Sequence, residues 1–335
     1  MKTDSILKRQ IDLKKTSSNT YSASWHSDWT LGNTLNGGCI AAVIHHAFAT
    51  HIMTDDSIVA RNQPHVLSLK LEFLRSCEKS DSSITIEPLK IGKSLSTFEV
   101  RLVQGGKLRV LAQAKSINFD KVHGPTAATD WRLYPDPPPK PNFGRVLAQQ
   151  PDENWVPGLV QGELIPLTGR KLGLFPRVGF PINGVCDAWN GFLGDERMDA
   201  TYLALMTDMI PSMSDTLLRN GGPYDAHVFH AEMERWAKLN PGIPCVMTNS
   251  IADAMKATSF VYTNALSIEY KRKIPEGGLR WVFTRAATKM LRNGVMDIEV
   301  SLCDEEEEVL AIAHHQDLIL GVDGKFRDNK IKSAL

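Results

Sequence analysis

The sequence has few cysteines, no excess of charge and no long apolar run. Its 5 cysteines are odd in number, far apart and without a Cys-x-x-Cys pair, which argues against a disulfide framework and a zinc site. The 38 basic side chains balance 38 acidic ones, so no net field attracts nucleic acid or an anionic membrane. No apolar run approaches the roughly 18 residues of a membrane span. We therefore expect a cytoplasmic protein without nucleic-acid or membrane partners.

Several motifs are also absent. The sequence has no Gly-x-Gly-x-x-Gly, no P-loop and no Gly-x-Ser-x-Gly elbow, so neither a nucleotide cofactor nor a serine hydrolase is expected. We expect no cofactor and no metal. The first 15 residues are polar, unlike a secretory signal. Ser333, Ala334 and Leu335 are similar to a peroxisomal tripeptide without its central basic residue, so a peroxisomal location is the alternative.

Two stretches of the chain are repeated at one offset. Residues 67–72 (LSLKLE) correspond to 266–271 (LSIEYK), and 111–114 (LAQA) correspond to 310–313 (LAIA), in both cases 199 positions later. Two separate segments with a common offset indicate a tandem duplication. The length of 335 residues also allows two domains of about 150 residues each.

The two copies have the same predicted plan. Alternating apolar residues predict strands at 66–74, 84–91, 97–103 and 110–119, and residues 262–320 repeat them. An apolar helix precedes each set, at 37–44 and at 200–211. We predict an α+β fold in which each copy wraps an antiparallel sheet around a central helix.

Composition also suggests the domain boundaries. Five prolines between positions 135 and 141 indicate a linker. We expect an N-terminal domain at 1–125, a Pro-rich linker at 126–160, a C-terminal domain at 161–325 and a tail at 326–335. The second copy carries an insertion at 212–259, with a helix at 224–239, that forms either a pocket rim or a subunit contact.

Short motifs in this order resemble the acyl-CoA thioesterase II family. The first copy has Asn36-Gly37-Gly38 at its helix start, Phe-Leu-Arg at 73–75 and Gly-Lys-Ser at 92–94; the second has Trp189, Asp208 and Pro-Glu-Gly at 275–277. The resemblance spans about residues 20–322 and is strongest to the divergent thioesterase-like branch common in fungi. It implies two hotdog domains in one chain and activity on acyl thioesters.

The resemblance also implies catalytic residues. In that family an aspartate on the second helix, a threonine on the next strand and a glutamine on the last strand bind the hydrolytic water. By position these are Asp208, Thr263 and His315, with Gln316 one residue further along. Because successive strand residues point to opposite faces, only one of His315 and Gln316 is expected in the site. We favour His315, which could orient water or act as a base.

Other residues of the two helices support this choice. Asp208 is a carboxylate within an apolar stretch, and such a residue usually has a function. Free N–H groups at a helix start could hold a thioester oxygen, which suggests Gly37 and Gly38 in the first copy and Thr201 in the second as binding residues. The first copy has His45 where the second has Asp208, so we expect chemistry in the second copy.

Three functions remain open at the level of sequence. The first is hydrolysis of an acyl-CoA or carrier-bound acyl thioester by activated water. The second is dehydration, isomerisation or cyclisation of a polyketide-like intermediate on the same fold, and the third is acyl binding without catalysis. The expected partners are a small acyl thioester, an acyl-carrier domain in the carrier-bound case, and further copies of the chain in a homo-oligomer.

Overall fold

The computed structural model describes residues 6–222, 224–254, 256–257 and 259–321. The α-helices are α1 (Ile6–Ile11), α2 (Gly37–Thr54), α3 (Asp56–Val59), α4 (Phe143–Leu147), α5 (Ala200–Met206), α6 (Met213–Leu218), α7 (Ala226–Leu239) and α8 (Ile251–Ala254). The first eight strands are β1 (Lys14–Lys15), β2 (Thr20–Ala23), β3 (Thr30–Leu31), β4 (Thr34–Leu35), β5 (His65–Phe73), β6 (Ser82–Lys90), β7 (Ser96–Gln104) and β8 (Lys107–Ile117). The others are β9 (Trp155–Gly162), β10 (Lys171–Pro176), β11 (Val185–Phe192), β12 (Cys245–Asn249), β13 (Ser259–Tyr270), β14 (Val282–Arg292), β15 (Val295–Cys303) and β16 (Val309–Gly321).

Fourteen of these strands form one sheet in the order β1-β2-β6-β7-β8-β5-β13-β16-β15-β14-β11-β10-β9-β12. The predicted strand sets are confirmed as β5–β8 and β13–β16. Each set has the same internal order, and the two sets meet where β5 pairs antiparallel with β13. The α+β tandem hotdog fold is therefore confirmed.

The register of the β5–β13 pair shows how the two copies are related. Leu69 lies directly opposite Ile268, and these residues are equivalent at the repeat offset, since 268 − 69 = 199. A residue can face its own equivalent only where a local two-fold axis passes between them. The duplicated segments therefore pair with each other, and the duplication gives one continuous sheet instead of two separate ones.

Helices α2 and α5 lie side by side in the core. Most of α2 is buried, and residues 201–206 of α5 are buried, which explains why both segments are apolar on nearly all sides. The predicted helix at 200–211 is too long, because α5 ends at Met206. Beyond it, the N–H groups of Asp208 and Met209 donate to carbonyls only three residues back, and this tighter turn directs Asp208 away from the helix path.

The linker and the insertion contain more structure than predicted. The predicted linker at 126–160 includes α4 and the start of β9, whose Trp155 is fully buried. Strand pairing therefore begins before position 161, because the apolar segment at 155–159 is long enough to form a strand. The insertion at 212–259 contributes α6, α7, α8 and β12, and β12 runs parallel to β9 at the edge of the sheet.

No helix in the described part of the chain is long and apolar enough to cross a membrane. The predicted tail at 326–335, with Ser333, Ala334 and Leu335, lies outside the described residues.

Candidate active site

A cavity of about 850 Å³ lies against the second half of the sheet and reaches the start of α2. Its wall is largely apolar and includes side chains from both copies. The insertion contributes Phe229 and Met233 from α7 and Met247 from β12. The insertion therefore forms part of the cavity wall, and a subunit contact stays a prediction.

Asp208 connects the two central helices at one end of this cavity. Its Oδ2 accepts a hydrogen bond of 2.8 Å from the backbone N–H of Gly38, at the start of α2. The side chain of Asn36 accepts the next N–H, that of Cys39, at 3.2 Å. The carboxylate therefore lies at the positive end of the α2 dipole, which stabilises its charged form.

The two glycines at the start of α2 allow this close contact. A Cβ atom at Gly37 would lie 2.9 Å from Asp208 Oδ2, and one at Gly38 would lie 2.6 Å from the Leu205 carbonyl oxygen. Both distances are shorter than side chains tolerate. Gly37 and Gly38 are thus required by the approach of two helix ends, in addition to any role in binding substrate.

Opposing effects act on the acidity of Asp208. Burial raises the pKa of the Asp208 carboxyl above its usual value, while His315, the Gly38 N–H and Asn36 favour the charged form. Desolvation is the larger effect. A carboxylate with a raised pKa is a stronger base than an exposed one, which suits it to accept a proton from water.

His315 lies beside Asp208 on the last strand. Its side chain is buried, its Nε2 lies 2.9 Å from the backbone carbonyl oxygen of Thr207, and its Nδ1 lies 3.8 Å from Asp208 Oδ1. A carbonyl oxygen only accepts, so Nε2 carries a hydrogen. In the neutral form of the ring, Nδ1 is an acceptor whose lone pair lies next to the aspartate; in the protonated form, the charge of the ring favours the charged form of Asp208.

Gln316 points away from the site. It is exposed and does not line the cavity, and its Oε1 accepts a hydrogen bond of 3.2 Å from the side-chain amide of Asn264, at the bulge of β13. Its assignment as a catalytic candidate is wrong because strand alternation directs it outward. His315 is the residue of this pair that reaches Asp208.

Asp317 was not identified from the sequence. It lies two positions after His315 on the same face of β16, is 4% exposed and lines the cavity. Its Oδ1 has no hydrogen-bond partner among the described residues. The alternation that selects His315 also selects Asp317, so the sequence held this signal. It was missed because the family pattern directs attention to one position on this strand.

Burial raises the pKa of Asp317 to about 6; the Asp208 charge adds to this, while His315 and a hydrogen bond from the Thr263 hydroxyl oppose it. Thr263 faces Asp317 across the β13–β16 pair, next to a bulge at Asn264. Thr263 lines the same cavity beside Asp317, and its catalytic role stays a prediction. The pKa values of both carboxyls beside His315 are raised, and burial is the main cause for each.

Thr201 belongs to a different part of the molecule. Its hydroxyl lies 3.1 Å from His45 Nδ1, and both residues line a separate pocket of about 290 Å³. Burial lowers the pKa of His45 to about 3, so its ring is neutral. Thr201, the predicted binding residue of the second copy, therefore lies in a different pocket from Gly37, and its binding role stays a prediction.

At the start of α2, one predicted donor is still available. The Gly38 N–H is bonded to Asp208 and the Cys39 N–H to Asn36, whereas the Gly37 N–H has no acceptor among the described residues. Gly37 also lines the cavity. An N–H group at a helix start can stabilise a developing negative charge.

Together these groups can hold a water molecule. Asp208 Oδ1 and His315 Nδ1 are acceptors 3.8 Å apart, close enough for one water to donate a hydrogen to each.

Within the described part of the chain, no group of three or more His, Cys, Asp and Glu side chains is arranged to hold a metal ion.

Two family models match the chain. The acyl-CoA thioesterase N-terminal domain matches residues 25–116 and the acyl-CoA thioesterase C-terminal domain matches residues 128–319. Asp208, Thr263, His315 and Asp317 all lie in the second match, while Gly37 and Gly38 lie in the first. The candidate site is thus built from both domains.

A fungal protein and several solved structures are similar along nearly the whole chain. The thioesterase-like protein TwmA of Talaromyces wortmannii is 25% identical over 325 residues, which cover 91% of this chain and 89% of that protein. The acyl-CoA thioesterase II TesB2 of Mycobacterium marinum is 17% identical with a TM-score of 0.60, covering 95% of this chain and 98% of its own. A hot dog fold protein of unknown function from Alicyclobacillus acidocaldarius is 13% identical with a TM-score of 0.67, covering 95% and 99%. Because the two family models match most of the sequence, in the predicted order, the chain belongs to the acyl-CoA thioesterase family.

Proposed function

We propose that the protein hydrolyses an acyl thioester, carried on CoA or on an acyl-carrier domain, by direct attack of water. The observation that carries the proposal is the pair of acceptors formed by Asp208 and His315 at the end of a largely apolar cavity. Membership of the acyl-CoA thioesterase family supports the same reaction class.

In the proposed reaction, water donates one hydrogen to Asp208 and one to His315, which directs its lone pair at the thioester carbonyl carbon. Asp208 takes up the proton as the carbon–oxygen bond forms. The negative charge then moves onto the carbonyl oxygen, where the Gly37 N–H stabilises it. As the carbon–sulfur bond breaks, the proton passes to the departing sulfur, and the products are a carboxylic acid and a free thiol.

In this proposal His315 positions the attacking water. Its Nε2 hydrogen is held by the Thr207 carbonyl, so Nδ1 has a fixed direction toward the water. The raised pKa of Asp208 supports assigning the proton uptake to the carboxylate. The acyl chain would extend from this point along the apolar cavity wall.

The experiment follows free thiol and acyl product together. The protein is incubated with acyl-CoAs of several chain lengths, thiol is measured with a colorimetric reagent, and the acyl product is identified by mass spectrometry. The proposal predicts equal amounts of thiol and free acid, both abolished in Asp208→Asn. Thiol release that persists at the wild-type rate in Asp208→Asn would contradict it.

A second function is favoured by one observation. Asp317 has a raised pKa of about 6 and lies on the same strand face as His315, so an acid and a base face one cavity. Such a pair could dehydrate, isomerise or cyclise a polyketide-like acyl chain without cleaving the thioester. In the same experiment this function gives a changed acyl skeleton and no thiol, whereas saturable binding without either product indicates an acyl-binding protein.

A further inference from the structure

A lysine lies in the cavity wall on the side formed by β10 and β11. Lys171, the first residue of β10, lines the cavity, and its Nζ donates a hydrogen bond of 2.9 Å to Asn190 Oδ1. Asn190 is buried and is held in place by its own hydrogen bond of 3.0 Å to the Thr284 hydroxyl. The three side chains form a polar cluster in a largely apolar cavity.

Within the described residues, no carboxylate forms an ion pair with Lys171. Asp187 is on the adjacent strand, but both of its oxygens accept hydrogen bonds from Arg285, at 2.7 Å each. An ammonium group has three hydrogens to donate, and the described residues accept one of them. Two donors of Lys171 are therefore available to a molecule in the cavity.

Lys171 is partly buried, and its ammonium group has one hydrogen-bond acceptor among the described residues. Burial lowers the pKa of Lys171 to about 8, because the charged form loses water that the protein does not replace. A buried charge is normally compensated by a partner or by hydrogen bonds. An acceptor on the ligand would supply the compensation that the protein lacks.

The cavity wall between this cluster and Asp208 is suited to an acyl chain. Ile298 on β15 lies opposite His315. The next two strands, β14 and β11, contribute Ala286 and Cys186, which lie opposite each other. Ile298, Ala286 and Cys186 are small or apolar, and all three line the cavity. From β16 to β10 the sheet order gives four strand steps, or about 19 Å along the sheet at roughly 4.8 Å per step.

We propose that Lys171 and Asn190 form a second binding site for an oxygen acceptor, a carboxylate or a carbonyl, at the end of the acyl chain remote from the thioester. The substrate is then a long oxygenated acyl thioester, and a plain fatty acyl group fits the site less well. This inference rests on the proposed function for the position of the thioester.

The test uses CoA thioethers, which have no thioester to hydrolyse. Three ligands of equal chain length end in a methyl group, a methyl ketone or a carboxylate, and their dissociation constants are measured by isothermal titration calorimetry at neutral pH. Chain lengths from dodecyl to octadecyl cover the distance between the two sites. The proteins compared are the wild type, Lys171→Met and Lys171→Gln. Lys289→Met is the control, since Lys289 lies on β14 and pairs with Glu299.

We expect the wild type to bind at least one oxygen-ended ligand about tenfold or more tightly than the methyl-ended one, as a charged hydrogen bond would give. Lys171→Met should reduce the ratio of the methyl-ended to the oxygen-ended dissociation constant to near one. Lys171→Gln should retain part of this preference for the ketone, and Lys289→Met should leave the ratio unchanged. The ketone and the carboxylate distinguish the two kinds of acceptor. Equal affinities in the wild type at every length, or an unchanged ratio in Lys171→Met, would overturn the inference.

The readout does not depend on catalysis. If the ratio behaves as expected but no acyl-CoA loses its thiol, the hydrolytic function fails and the binding site stands. If thiol is released from acyl-CoAs but the affinities for oxygen-ended and methyl-ended ligands are equal, the hydrolytic function stands and the Lys171 binding site fails. Circular dichroism and the unfolding midpoint of each variant show that the compared proteins are folded.

Discussion

Asp317 is predicted to destabilise the folded protein at neutral pH. Burial in the folded protein raises its pKa from the usual 3.8 to about 6. The folded state therefore binds this proton more tightly than the unfolded state does. The contribution of the Asp317 carboxyl to the free energy of unfolding is fully present below about pH 4 and is lost as the pH rises through about 6. The shift of about 2 units corresponds to about 3 kcal/mol at 1.36 kcal/mol per unit.

Asp317→Asn removes this titration and keeps the shape of the side chain. We expect the variant and the wild type to have equal free energies of unfolding near pH 4, and the variant to be about 2–3 kcal/mol more stable near pH 7.5. Urea unfolding of both proteins at several pH values measures the difference. Asp136→Asn is the control, because Asp136 is exposed and pairs only with the exposed Arg132 among the ion pairs of the described residues. A difference that does not change with pH would refute the reasoning.

Three further predictions concern residues around Asp208. Gly38→Ala should lower the free energy of unfolding by about 1–3 kcal/mol, because the new Cβ would lie 2.6 Å from a backbone oxygen. Gly144→Ala is the control and should cost little, because its Cβ would lie 3.5 Å from the nearest atom. Urea unfolding midpoints of the two variants measure the difference. His315→Gln should keep kcat for thiol release within about tenfold, and His315→Leu should lose about 100-fold. This follows because an amide can bond the Thr207 carbonyl and also accept from water. Equal losses of kcat in His315→Gln and His315→Leu would indicate that the imidazole is the proton acceptor. Gln316→Ala should leave kcat unchanged, because the side chain is on the outer face.

The fold was largely predictable because the chain is a duplication. The β-strand pattern of one copy could be checked against the other at the same offset, and both sets of four strands are where the alternation predicts them. Strands β9, β10 and β11 were not predicted. β11 pairs with β14 as β2 pairs with β6, but the repeated sequence segments do not extend to these strands, and β9 starts within a segment whose prolines indicated a linker.

The candidate site was predictable in part. Asp208 and His315 were found because the family resemblance marks their positions; a carboxylate within an apolar stretch supported the first, and strand alternation favoured His315 over Gln316. The partner of Asp208 could not be found, because the Gly38 N–H is 170 positions away in sequence and only helix packing brings them together. The separation of Thr201 from Gly37 could not be predicted for the same reason: the repeat relates the two helix starts, and only the packing of the helices places them at different pockets.

The central claim is that Asp208 takes the proton from the attacking water. The most direct test is thiol release from an acyl-CoA by the wild type and by Asp208→Asn, which can still accept the hydrogen bond from Gly38 and so keep the helix contact. We predict that kcat falls by a factor of about 100 or more, with an unfolding midpoint near that of the wild type and normal activity in the Gln316→Ala control. Because burial raises the pKa of Asp208, wild-type activity should also decline on the acidic side above the usual range of a carboxyl. A variant that releases thiol at the wild-type rate would contradict the account.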